Sequence, residues 1–300
     1  MANVEEVRDK IETAESLQSV VSTMKTLAAV NERQFEVMVE ALSEYNRTVE
    51  MGLQIVLRDH PIAGLELEGN TGERLAAIIV GSDQGMCGPF SRRIVSHALS
   101  EIERLPYEPE DISLLVLGVR ALAEVEDAGW TAADYIPTPA SVDGVSDCVE
   151  DVFVLLNNWG FMAGADSIMM FHNETAGAII YDQRTVRVSP VSMAWLRSLQ
   201  GREWDSRCLP QYFMDFDDMF AALIGEYVFV SIYRGIAEST AAENASRLQS
   251  MQAAENNIED RLKDLKRSYQ IQRQTAITEE VSDVISGFEA MTEEDPPERR

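Results

Sequence analysis

Leu248–Ala276 reads LQSMQAAENNIEDRLKDLKRSYQIQRQTA. Within it Leu248, Met251, Glu255, Ile258, Leu262, Leu265, Tyr269, Gln272 and Ala276 follow one another at alternating steps of three and four. That alternation is the seven-residue period of a helix with one narrow seam, which winds left-handed around a partner helix. Glu255 and Gln272 occupy inward positions where leucine would hold better. A polar residue there costs stability and fixes register or partner. Helical period begins near Phe216, and Ile277, Val281, Val284 and Phe288 continue it with a shifted phase. A C-terminal coiled-coil helix is therefore predicted over residues 211–290. Residues 291–300, MTEEDPPERR, are polar and proline-containing and are predicted to be a disordered tail.

The other end of the chain carries the same signature. Residues 1–60 hold no proline and a single glycine, Gly52. Apolar residues recur at Val4, Val7, Ile11, Ala14, Leu17, Val21, Met24 and Ala28, then at Phe35, Met38, Leu42, Tyr45 and Val49. The change between Ala28 and Phe35 reads as a stutter. His60-Pro61 ends the helix, since a residue before proline is pushed out of the helical region. At about 1.5 Å per residue this helix spans about 85 Å. Two end helices with narrow seams most simply pair with each other, and a domain between them turns the chain back, so the pair is predicted to be antiparallel.

Between the helices the period changes. Residues 61–74 are rich in Gly and Glu and read as a linker. Leu75–Val80 (LAAIIV) and Ile112–Val119 (ISLLVLGV) are short apolar runs, the mark of strands buried on both faces. Helical stretches are expected at 94–105, 120–127 and 145–159, a weak strand at 130–137, another strand at 166–172, and a sheet edge at 178–188. Strands alternating with helices give a mostly parallel sheet with right-handed crossovers. The expectation is a Rossmann-like α/β domain over 75–190, a linker over 191–210, and an α+α/β chain: a long antiparallel coiled coil carrying a central α/β domain.

Composition narrows the function. Twenty-five Lys and Arg against 51 Asp and Glu leave a formal net charge of −26. So acidic a chain is not expected to bind nucleic acid, because phosphate affinity needs a basic face, and an anionic leaflet would repel it. No run of eighteen apolar residues is seen, so no segment is expected to cross a bilayer, and no targeting presequence is visible. Cys87, Cys148 and Cys208 are an odd count without metal spacing, which points to a reducing compartment. His60, His97 and His172 stand far apart, so neither catalytic residues nor a metal or cofactor site is expected. Gly81–Gly88 (GSDQGMCG) lacks the lysine and spacing of a phosphate loop and reads as a strand-to-helix turn, with Asp83 as a local cap. Residues 247–273 hold six basic side chains against four acidic ones, a locally basic stretch suited to an acidic partner.

Glu243–Asn257 (ENASRLQSMQAAENN), with Leu265, Tyr269 and Arg273–Glu280 (RQTAITEE), resembles the gamma subunit of F-type ATP synthases. The family's C-terminal signature is Ile-Thr-x-Glu, an acid three residues on, then Gly-Ala. Here Ile277, Thr278, Glu280, Asp283 and Gly287 fit, and Phe288 stands where alanine is expected. Ser82–Gly88 is similar to the family's Asp-Arg-Gly-Leu-Cys-Gly turn, and Val7, Arg8, Lys10, Ile11, Thr23 and Met24 match its opening helix. The chain resembles a divergent, acidic member, of the kind carried by alternative F-type complexes, with one basic residue, Arg33, over 30–34.

The resemblance implies a central rotor stalk that is not catalytic itself and couples ion translocation to ATP synthesis or hydrolysis on a ring of three alpha and three beta subunits. It implies further partners, the epsilon subunit and the ring of c subunits, and a peripheral place on the cytoplasmic face of a bacterial or archaeal plasma membrane. Arg273, Gln274, Thr278, Met24 and Arg247 match positions that contact beta, and Val281, Val284 and Phe288 match an apolar bearing. Judged on heptads alone, a non-rotary coiled-coil scaffold with an α/β module is the alternative; an enzyme using the Gly81–Gly88 loop is a third reading.

Overall fold

A computed structural model describes residues 2–60, 73–163, 166–176, 179–204 and 207–293. The chain divides into two compact units. One joins Met1–Thr26 to Met251–Arg300, and the other is Leu27–Ser250. Helix α1 (Ala2–Asp59) and helix α6 (Phe216–Glu293) each contribute to both units, where the sequence led us to expect helices separate from the domain. Most of the expected 61–74 linker and most of the expected tail lie outside the described residues; α6 itself continues to Glu293.

The first unit is an antiparallel helix pair. Lys25 meets Glu255, and Glu15 accepts from Lys266 at 2.7 Å, so moving back along α1 moves forward along α6. On α6, Met251, Glu255, Ile258, Leu262, Leu265, Tyr269, Gln272 and Ala276 are all buried or half-buried, as the heptad reading requires. On α1 the seam differs from the sequence reading in three places. Leu17 faces solvent and Gln18 takes its seam position, and Lys25 takes the position read as Met24. The stutter is also absent: Ala28 and Phe35 are one heptad apart, with half-buried Glu32 between them. All three differences have one cause. The seam of α1 steps through Val4, Val7, Ile11, Ala14, Gln18, Val21, Lys25, Ala28, Glu32 and Phe35, and its polar members are invisible to a search for apolar residues.

The second unit is built on a five-stranded sheet: β1 (Leu75–Val80), β2 (Ile112–Leu117), β3 (Asp134–Ile136), β4 (Ser167–Ala176) and β5 (Ile179–Ser189). The order is β3-β2-β1-β4-β5, with the first four parallel and β5 antiparallel at the edge. Helices α2 (Phe90–Ile102), α3 (Val119–Asp127) and α4 (Gly144–Asn158) make the crossovers. β1 is buried throughout because both faces are covered. Leu75, Ala77 and Ile79 pack with Ile94, Ala98 and Val125 of α2 and α3, while Ala76, Ile78 and Val80 pack with Val149 and Val152 of α4 and with Phe35, Ile232 and Ile236 of the long helices.

Two expectations fail in this unit. Met193–Gln200, expected as linker, forms helix α5, too short to show a period in sequence; Leu196 and Leu199 are buried, and Gln200 donates to the Leu57 carbonyl at 2.8 Å. And α6 contains an 18-residue window of mean hydropathy 1.4, enough by length and composition alone to cross a membrane. Val228, Val230, Ile232 and Ile236 of α6 are buried in the core, and 28% of the window is buried in all.

Candidate functional site

In a doubly wound sheet the place for a ligand is the crevice beyond the carboxyl ends of the strands, where the connections diverge. Here that place follows β1, whose successors lie on opposite sides, β2 and β4. The Gly81–Gly88 loop lines it. Asp83 is its hub: it accepts from the Val119 amide at 2.7 Å, the Tyr135 hydroxyl at 2.9 Å and the Thr138 amide at 2.6 Å. The aspartate thereby satisfies the first amide of α3 and ties β1 to the loop after β3. Tyr135 is pushed up to about 12, by burial first and then by this carboxylate.

The crevice is filled by the protein itself. Ser239 of α6 donates to the Val80 carbonyl at 3.3 Å, Ser246 to the Cys87 carbonyl at 2.8 Å, and Arg247 to the Gln84 carbonyl at 3.3 Å. Arg247 is only 6% exposed and is ion-paired with Glu243, one turn before it. Burial pushes the Glu243 carboxyl up, against the opposing pull of Arg247. Between Asp83, Gln84, Thr138, Asn244 and Arg247 there remains a cavity of about 120 Å³. Cys87 sits under this loop as a buried packing residue, its thiol raised by burial.

A second buried polar cluster lies between β4 and α6. His172 Nε2 and Glu238 Oε2 are 2.9 Å apart, and Arg234 donates to Glu238 Oε1 at 2.6 Å. Burial would raise the Glu238 carboxyl, but His172 and Arg234 outweigh it and hold it below the usual range. Sequence reading missed this cluster and the role of 238–247. The available signal was compositional: ESTAAENASR is short of large apolar side chains yet lies in a helix, and small residues of that kind let backbones approach closely.

The other expected site residues lie in the two-helix unit. Met24 is half-buried beside the α1 seam, next to Lys25. Arg273 is exposed and lines a cleft of about 510 Å³ with Arg8, Tyr269, Glu280 and Asp283. Gln274 and Thr278 are also exposed, the Thr278 hydroxyl turned back onto the Gln274 carbonyl at 2.9 Å. Past Ala276 every described side chain of α6 through Phe288 is exposed. Ile277, Val281, Val284 and Phe288 fall at steps of four, three and four and, with Ile285 beside them, form one apolar stripe, with Phe288 69% exposed. Arg247 stands apart from this group, in the α/β unit, its guanidinium engaged within the chain.

These features define a class: an α/β unit built around the ends of two long helices that elsewhere form a coiled-coil stalk. A family model described as ATP synthase matches residues 3–291. The ATP synthase gamma chain of Mycolicibacterium smegmatis is 25% identical, over 97% of this chain and 98% of that one. Among solved structures, a chain of the Euglena gracilis mitochondrial ATP synthase, in its OSCP/F1/c-ring assembly, superposes with a TM-score of 0.65 at 18% identity, covering 100% of this chain and 98% of that one. A chain of the Tetrahymena thermophila mitochondrial ATP synthase central stalk and c-ring gives 0.56 at 18% identity, over 78% and 99%. The chain belongs to the ATP synthase family, as a gamma subunit.

Proposed function

We propose that this gamma subunit is the rotor of its ATP synthase: it turns inside a ring of three alpha and three beta subunits and carries work between that ring and an ion-translocating ring of c subunits. The observation that carries the reading is the apolar stripe that α6 keeps in solvent at Ile277, Val281, Val284 and Ile285. Exposed apolar side chains lined up along one helix face mark a surface built to run against another protein. The chain is asymmetric, so each beta subunit meets a different surface and is biased toward a different conformation. That is a population shift by differential contact.

Chemistry belongs to the ring in this reading. The crevice after β1 is occupied by Ser239, Glu243, Ser246 and Arg247, and the remaining 120 Å³ falls below the roughly 300–1,000 Å³ of a small-molecule pocket. Arg273, Gln274 and Thr278 reach a beta-subunit loop, with Met24 setting the helix pair behind them. Arg247 acts from inside the α/β unit by holding the Gln84 loop. Val281, Val284 and Phe288 form the bearing, the epsilon subunit joins the α/β unit, and the assembly is peripheral to a bacterial or archaeal plasma membrane on its cytoplasmic face, transporting hydrogen or sodium ions.

The test is co-expression with the alpha and beta subunits of the same complex. Native mass spectrometry should find one copy of this chain per three alpha and three beta, and a bead on the α/β unit should turn when ATP is supplied. A complex that hydrolyses ATP with the bead still would refute the proposal.

A further inference from the structure

Rotor function requires that torque applied to the α/β unit reach α6 without slip. An interface of apolar side chains resists this through the fit of its surfaces alone, because the attraction of burial is itself non-directional. Hydrogen bonds differ, since they weaken steeply once bent below about 120°.

On α6, Gly235, Ser239, Ala242 and Ser246 fall at steps of four, three and four and share one face. That face lies against the sheet and its first loop. A Cβ on Gly235 would come within 2.6 Å of Met170 Sδ on β4. Ala242 packs with Cys87, Phe90 and Tyr181. The two serines between and beyond them donate to main-chain carbonyls, Val80 at 3.3 Å and Cys87 at 2.8 Å. To one side the His172–Glu238 contact adds a third tie, at 2.9 Å, and Arg247 on Gln84 a fourth. Both serine bonds end on backbone, which cannot follow a turning helix as a flexible side chain would. Rotating α6 by about 30° would carry a group about 4 Å off its axis through about 2 Å, out of hydrogen-bond reach.

We propose that Ser239 and Ser246 key α6 to the end of the sheet against rotation about its own axis, making them positioning residues for torque transfer. The small side chains of Gly235 and Ala242 bring the helix close enough for the hydroxyls to reach. The inference rests on the rotor reading and specifies where the shaft is fixed to its foot.

The experiment compares wild type with the double variant Ser239→Ala, Ser246→Ala in the assembled complex, with the catalytic ring immobilised and a bead on the α/β unit. Removing the two serine ties from the five described, Ser146–Tyr233 between α4 and α6 being the fifth, should raise the angular variance during catalytic pauses by up to about 1.7-fold, with ATP hydrolysis per ring unchanged. Ser43→Ala is the control, since among the described residues the Ser43 hydroxyl bonds only the Val39 carbonyl of its own helix; its variance should match wild type. If the double variant does not assemble, Ser246→Ala alone is read in the same way. Variance unchanged in a rotating double variant overturns the key alone, and so does an equal rise in Ser43→Ala. Wild type that assembles but does not rotate overturns the rotor reading and the key with it.

Discussion

Gly118→Ala tests the clamp that holds the crevice. Gly118 precedes α3 with φ 97° and ψ 126°, in the left-handed half of the map that side chains rarely enter. A Cβ there would also lie 2.6 Å from the Ser82 carbonyl carbon and 2.7 Å from its nitrogen and oxygen. These are main-chain atoms, and they are held: the Arg120 amide donates to the Ser82 carbonyl at 3.0 Å, and the Val119 amide to Asp83 at 2.7 Å. Relieving the clash means moving the Gly81–Gly88 loop and losing both bonds. The strained backbone costs about 1–3 kcal/mol, the neutral bond about 1 and the charged bond about 1.5–3, for a total of about 4–7 kcal/mol. Gly129 isolates the first contribution. Its φ is 83°, with nothing among the described residues within 4 Å of the site a Cβ would take, so Gly129→Ala should cost about 1–2 kcal/mol. The assay is denaturant unfolding followed by tryptophan emission. Trp130, Trp159, Trp195 and Trp204 all lie in Leu27–Ser250, so the signal reports that unit. Equal losses for the two variants would show that the Ser82–Asp83 loop yields freely and that the clamp does not exist.

Replacing both members of the seam pair, Lys25→Leu with Glu255→Leu, should raise the melting temperature of the helix pair, because two part-buried charges give way to apolar packing; Lys25→Leu alone should lower it by stranding Glu255. Thiol reagents at pH 8 should label exposed Cys208 quickly and Cys87 and Cys148 only after unfolding. Burial, then Asp151 and Asp83, push the Cys148 thiol up to about 12, so the folded state favours the neutral thiol; this contribution to stability is complete below about pH 9 and should be lost on titrating from there toward pH 12, by circular dichroism. Arg273→Ala should leave melting unchanged, since the side chain is exposed, and should lower coupled ATP synthesis in reconstituted vesicles about tenfold, the worth of one charged hydrogen bond; normal synthesis would remove Arg273 from the coupling set.

What could be read from sequence depended on how each element buries its residues. The central strands β1 and β2 are covered on both faces, so LAAIIV and the LLVL of Leu114–Leu117 appear as unbroken apolar runs. The α6 seam was legible because most of its members are apolar. The α1 seam was not, because Gln18, Lys25 and Glu32 occupy three successive equivalent positions, and a reader following apolar residues steps aside to Leu17 and finds a break that the helix does not have. The crevice was half legible. Gly81–Gly88 announces a turn after a strand, with Asp83 able to cap, but that α6 returns across about 160 residues to fill the space is a tertiary fact with no local pattern. His172 and Glu238 are 66 residues apart and each looks ordinary alone.

The distribution of burial explains why the helix pair carries polar seam positions at all. Among the described residues of that unit only Val7, Met251 and Leu262 are fully buried apolar side chains, whereas the α/β unit buries dozens. A two-helix seam cannot exclude water as a sheet core does, so each polar residue in it costs less than it would beside β1. What it contributes is register. Seven-residue periodicity alone is satisfied equally well by a slip of one heptad, and a seam of leucines would not resist it. Placing Lys25 against Glu255 makes such a slip bury both charges unpaired, a cost that apolar contacts do not impose. For a rotor whose end must meet its ring at one height, a fixed register matters more than a tight seam, and the choice of residues in α1 and α6 follows that order.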